Sequence, residues 1–235
     1  MLDWDALSNE ELEQMADAGH KVLNCYRVLA KSSDNIVGEV IKGQGTFYEM
    51  DHYPPGDIYD PVSHSQYYYH AHRSGEHGHF HTFMRSDGMP GTMQPISKQS
   101  DQDYMSERED QITHLIAISM DARGFPTSLF TTNRWVTAEN WYRAEDVCQA
   151  LDSFEIDLVP PSWAVNIWLT SLVRLYRPVI KRLIMQRDEK IASWQQQYPD
   201  RDVFEDRELE ITSEHPISVE AYLKEIEQKM LGLSS

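Results

Sequence analysis

Between Thr46 and Thr132 the chain is dominated by aromatic and β-branched runs broken by Pro, Gly, Asp and Ser, with amphipathic helical patterns on both sides. This segregation constrains the fold more than any other feature. Strands gathered in one stretch pair with their sequence neighbours, antiparallel, and the helices pack around them. The expected class is α+β: a central antiparallel β-sheet with helices at the N-terminus and in the C-terminal half. Over 235 residues a single domain is expected, with 198–235 a peripheral charged linker plus C-terminal helix.

Ser8-Asn-Glu-Glu11 has the form of a capping box, in which hydroxyl and carboxylate satisfy free amide donors at a helix start. Leu12, Met15, Ala16, Val22, Leu23, Tyr26 and Leu29 follow at helical spacing, which predicts a helix to about Ala30. Inside the strand block, Tyr67 to Arg73 and His79 to Arg85 flank Ser74-Gly-Glu-His-Gly78 and read as a hairpin. His114 to Ser119 and Ser128 to Thr132 read as a second. Pro54-Pro55-Gly56-Asp57 reads as a rigid turn. The polar stretch from Arg85 to Asp110 reads as a long surface loop, with a lid as the alternative. Later helices are expected from about Ala138 to Phe154, from Trp163 to about Gln197 with a kink at Pro178, and from about Val219 to Leu231 after a charged linker, Tyr198 to His215.

A net charge of −17 repels phosphate backbones and anionic lipid, so neither nucleic acid nor a membrane is an expected partner. The most apolar stretch, Trp163 to Tyr176, contains Asn166 and Arg174 and is shorter than the ~20 residues a bilayer takes; it reads as a core helix. Cys25 and Cys148 stand far apart on helical segments and read as reduced, buried thiols. Met1-Leu-Asp-Trp-Asp5 places acids where an export signal needs basic residues, so a cytoplasmic location is expected.

Seven of the ten histidines fall between His52 and His81. Residues two apart on a strand share a face, which pairs His70 with His72 and His79 with His81. The two faces coincide for any hairpin loop with an even number of residues. A four-residue loop, Ser74 to His77, sets His72 opposite His79 and His70 opposite His81, and four imidazoles converge. Protonated, they would repel one another; a dication uses the neutral lone-pair form of each. His70, His72, His79 and His81 are therefore the expected metal ligands. Glu76, at the hairpin tip, is a fifth ligand or a base beside the ion. Asp51, His52, Asp57, Asp60 and His64 are further donors on the approach, and His114 joins them if its strand neighbours the hairpin. With no cysteine nearby, Fe, Mn, Zn, Ni and Cu all suit the set. Tyr68 could line a substrate pocket, and Arg134, in Asn133-Arg134-Trp135, could bind an anion there.

His70-x-His72-x-x-x-Glu76 resembles the first metal motif of cupins, which implies a metal held by two His and a Glu on neighbouring strands. His77-Gly-His79-Phe-His81-Thr-Phe83 resembles the histidine-triad signature of nucleotide hydrolases and transferases, which implies a histidine attacking a phosphate and makes His77, with Glu76, a catalytic candidate. His52-Tyr-Pro-Pro-Gly-Asp57, Gln66-Tyr-Tyr-Tyr-His-Ala-His-Arg73, Glu76-His-Gly-His-Phe-His-Thr-Phe83 and Thr132-Asn-Arg-Trp-Val-Thr137 look like an uncharacterised bacterial family classed as a domain of unknown function, over roughly residues 10 to 185. Three functions stay open: a metal-dependent enzyme, hydrolase or oxygenase, acting on a small molecule; a non-catalytic module for metal sensing, storage or protein interaction; and a histidine-triad-like phosphoryl or nucleotidyl hydrolase.

Overall fold

A computed structural model describes residues 4–73, 75–96 and 111–233. Helix α1 (Asn9–Ala30) starts at the expected capping box: the Glu11 amide donates to the Ser8 hydroxyl at 3.2 Å, and the Ser8 amide donates to the Glu11 carboxylate at 2.9 Å. Its buried stripe includes Leu12, Met15, Val22 and Leu29. A short helix, α2 (Ile36–Ile41), follows, capped by Asn35.

Among the described residues, six strands form one antiparallel sheet in simple sequence order: β1 (Tyr53–Tyr59), β2 (Ser65–His70), β3 (Gly78–Arg85), β4 (Ile112–Met120), β5 (Pro126–Thr132) and β6 (Ile211–Pro216). Five lie in the block where strands were expected. The sixth comes from the stretch expected to be a linker, which is anchored beside it by buried Val203 and Leu209 against Trp141 and Ile191. Pro54-Pro55-Gly56-Asp57, expected as a turn, is instead a bulge inside β1: Tyr53 pairs with Tyr69 and Ile58 with Tyr67, while Gly56 and Asp57 take φ of 85° and 60°. β1 is an edge strand, where prolines cost the ladder little. Of the loop expected from Arg85 to Asp110, residues 97–110 lie outside the described residues; the part before them includes a 3-10 turn at Ser86–Gly88 and a buried Met89.

The C-terminal half supplies α3 (Arg134–Thr137), α4 (Ala144–Leu151), α5 (Trp163–Leu175), α6 (Arg177–Gln197) and, after β6, α7 (Val219–Leu233). The helix expected from Ala138 starts later, at Ala144, because Ala138 takes a left-handed conformation that ends α3. The long helix expected to kink at Pro178 breaks at Tyr176 instead, leaving Pro178 in the first turn of α6, where its missing N–H is not needed.

Helix α5 is buried on nearly every side, as a core helix should be. Its Trp168 shows why: the ring packs on Phe80 of β3, 5.4 Å between centroids, while its indole N–H donates to Tyr26 of α1 at 3.0 Å. The layers run sheet, α5, α1. Asn166, the polar residue inside this apolar helix, accepts from the Tyr67 hydroxyl at 2.7 Å and donates to the carbonyls of Leu158 and Pro160. Cys25 is buried and Cys148 half-buried, and both are free. Among the described residues no helix is long and apolar enough to cross a membrane.

Strand alternation then sorts the hairpin. Tyr67, Tyr69, Phe80 and Met84 join the core under the helices. Tyr68, His70, His79, His81 and Phe83 fall on the other face.

Candidate metal centre

The ladder of the β2–β3 hairpin sets His70 opposite His79 and Tyr68 opposite His81. The expected pairing, His72 with His79 and His70 with His81, is thus displaced by two residues. The reason is that the chain leaves the ladder after His70. The Ala71 carbonyl accepts from the Met50 amide at 3.0 Å, and the His77 amide donates to Met120 of β4 at 2.9 Å, so flanking segments draw the ends of the loop apart. A shift of two preserves parity, and the imidazoles still share one face.

His70, His72 and His79 each offer a ring nitrogen, and these three atoms lie within 4.8 Å of one another, an arrangement that could hold a metal ion. The Nε2 atoms of His70 and His79 are 2.7 Å apart. An ion with bonds of ~2.1 Å at angles between square and tetrahedral holds nitrogens roughly 3.0–3.4 Å apart, so small ring movements would admit it. His79 is fixed from behind by a hydrogen bond between its Nδ1 and the Glu76 carboxylate. This carboxylate–histidine pairing leaves Nε2 pointing at His70, the arrangement that orients a ligating imidazole. His72 is exposed and forms the mouth of the cluster, while His70 and His79 are buried.

His81 lies beside the three, its ring 4.8 Å from that of His79 and 5.2 Å from that of His70. Its Nδ1 contacts Nε2 of His114 at 3.0 Å, and its buried Nε2 has no hydrogen-bond partner among the described residues. His114 reaches this face through a bulge: Thr82 pairs with Ile116 but Phe83 with His114, so Leu115 is the extra residue and the alternation reverses there. Behind it, buried Glu139 accepts from the His114 amide at 2.7 Å. No local sequence pattern announces a bulge, and Glu139 had no signal beyond being acidic.

The other expected site residues are placed as follows. His77 bonds through Nδ1 to the Tyr69 hydroxyl at 2.8 Å, on the helix-covered face and away from the cluster. Tyr68 stays with the imidazoles, stacked on His52 at 3.6 Å and edge-on to His70 at 5.1 Å. Arg134 pairs with Glu205, and its guanidinium lies 5.8 Å from the Phe204 ring. Asp57 accepts from Gln66 at 2.7 Å and contacts His52 at 2.9 Å. Asp60 accepts from the amides of Val62 and Asp157, and His64 bonds to Tyr59. Asp51 is exposed.

Burial dominates the electrostatics. It pushes His70 down to about 2 and His114 to about 3, and it lowers His72 and, strongly, His81; neighbouring positive charge adds to each shift. These four rings are therefore neutral at pH 7. For Glu76 burial acts upward, but hydrogen bonds with His79 and Ser119 and the charge of Arg73 outweigh it and hold the carboxyl below its ordinary range. Glu139, buried, is raised to about 7 despite Arg187 and its hydrogen bonds.

An antiparallel meander backed by helices, with three histidines on one face that could hold a metal ion, is the class that fold and site define. The chain belongs to the family described as Domain of unknown function (DUF6969), whose model matches residues 16–217, from within α1 to just past β6. No curated protein and no solved structure matches it.

Proposed function

We propose that the chain is a metal-dependent enzyme acting on a small molecule, with His70, His72 and His79 as ligands. The observation that carries this reading is the convergence of three imidazole nitrogens within 4.8 Å at a hairpin whose third ring is exposed. Three protein ligands leave coordination positions open for water or substrate, as catalytic sites require. Glu76 orients His79 rather than serving as the base. The ion supplies Lewis acidity, to activate water or dioxygen or to polarise a carbonyl. Neutral imidazoles and no thiolate suit Fe(II), Mn(II), Zn(II), Ni(II) or Cu(II). The unpartnered Nε2 of His81 favours a second reading, in which it completes a closed shell and the hairpin serves sensing or storage.

Metal analysis of protein purified without a histidine tag tests the proposal. One divalent ion per chain, lost in His79→Ala, is the expected result. No stoichiometric metal, together with no thermal stabilisation by added Fe(II), Mn(II) or Zn(II), would overturn it.

A further inference from the structure

Between the ligands His72 and His79 lies a cation that the sequence reading passed over. The Arg73 guanidinium lies over the Phe130 ring, 4.5 Å from its centroid, and the same ring packs edge-on to His79 at 5.4 Å. Phe130 thus holds the guanidinium and the imidazole in one neighbourhood. Nη1 of Arg73 is buried without a hydrogen-bond partner among the described residues, and its closest acidic oxygen, on Glu76, is 3.7 Å away. That distance makes an ion pair but no hydrogen bond. A buried charged donor left in this state is costly, and an incoming oxygen acceptor would recover that cost. Arg134, the arginine expected to take an anion, is instead paired with Glu205.

Resting on the metal reading above, we propose that Arg73 binds the carboxylate of a small anionic substrate whose other end reaches the ion. The charges favour an anion. Arg73 and Glu76 offset each other, and an imidazole ligates in its uncharged form, so the two charges of the ion would stand uncompensated in a partly buried site. The guanidinium fork matches a planar carboxylate, and its seat over the Phe130 ring holds it in place before the substrate arrives. His72 is exposed and the Arg73 side chain is 22% exposed, so neither side chain is sealed from solvent.

The test uses Co(II)-loaded protein titrated with glycolate, whose carboxylate would pair with Arg73 while its hydroxyl reaches the ion, followed by the visible d–d spectrum. A saturable spectral change is expected, with glycolate binding weakened about tenfold in Arg73→Gln, the loss of one charge-assisted hydrogen bond. Arg73→Lys, which keeps the charge without the fork, should fall between the two. A cooperative thermal unfolding transition matching that of the parent protein shows that the variants fold. An Arg73 that merely balances Glu76 would leave the glycolate response unchanged in both variants, and that result, or no response to glycolate at all with Co(II) bound, overturns the inference. Failure to take up Co(II) overturns the metal reading itself.

Discussion

Glu76 presents one carboxylate oxygen to Nδ1 of His79 and turns the other toward Arg73. Replacing it with Gln keeps the shape but removes the charge that fixes the imidazole, so Glu76→Gln should weaken metal affinity about 10–100-fold. Competition with a chromophoric chelator measures this, and unchanged affinity would show that Glu76 is idle. The density of histidines announced where to look, because a clustered, ionisable residue type survives any folding detail. What it could not announce was partnership. Arg134 looked available from its neighbours in sequence, yet its partner Glu205 is 71 residues away. Arg73 gained its significance only when a distant strand brought Phe130 beneath it.

At the scale of the hairpin, Gly78 is the residue the register depends on. A Cβ there would lie 2.6 Å from the His70 carbonyl oxygen and would also collide with the Tyr69 ring. The carbonyl belongs to the backbone and cannot yield without moving the ladder. Gly78→Ala should therefore destabilise the protein by about 1–3 kcal/mol, visible as a lower urea midpoint; an unchanged midpoint would mean the hairpin has slack. Parity was legible from sequence because period two is a property of any strand. The exact register was not, since Met50 and Met120 pull on the loop from outside it. Capping explains the opposite outcome at α1: Ser8 and Glu11 are three residues apart, so the signal is wholly local.

Across the whole molecule, burial of neutral imidazoles couples stability to pH. His70, at about 2, and His114, at about 3, bind fewer protons folded than unfolded, where the ordinary value is 6.5. Their contribution is complete above about pH 6.5 and is lost as pH falls, each by up to about 1.4 kcal/mol per unit. His72 and His81 act in the same sense. Glu139, raised to about 7 from 4.5, acts oppositely and offsets part of the loss between those two values. Metal-free protein should lose stability from pH 6.5 downward, more steeply below about 4.5, in thermal melts at fixed ionic strength. A flat profile over that range would contradict the buried, neutral state of these rings. The overall class followed from the segregation of strand and helix textures, but β6 did not: a short strand in a charged stretch is made by pairing with β5, not by its own pattern.

The three converging nitrogens come from His70, His72 and His79, all within ten consecutive residues. Closing so short a segment around an ion costs little chain entropy, so the denatured polypeptide keeps much of its chelating power. An ion that also binds the unfolded chain stabilises the native one by less than its native affinity alone implies. The proposed ion could likewise be captured during synthesis as soon as this hairpin emerges, before the strands that will bury it exist.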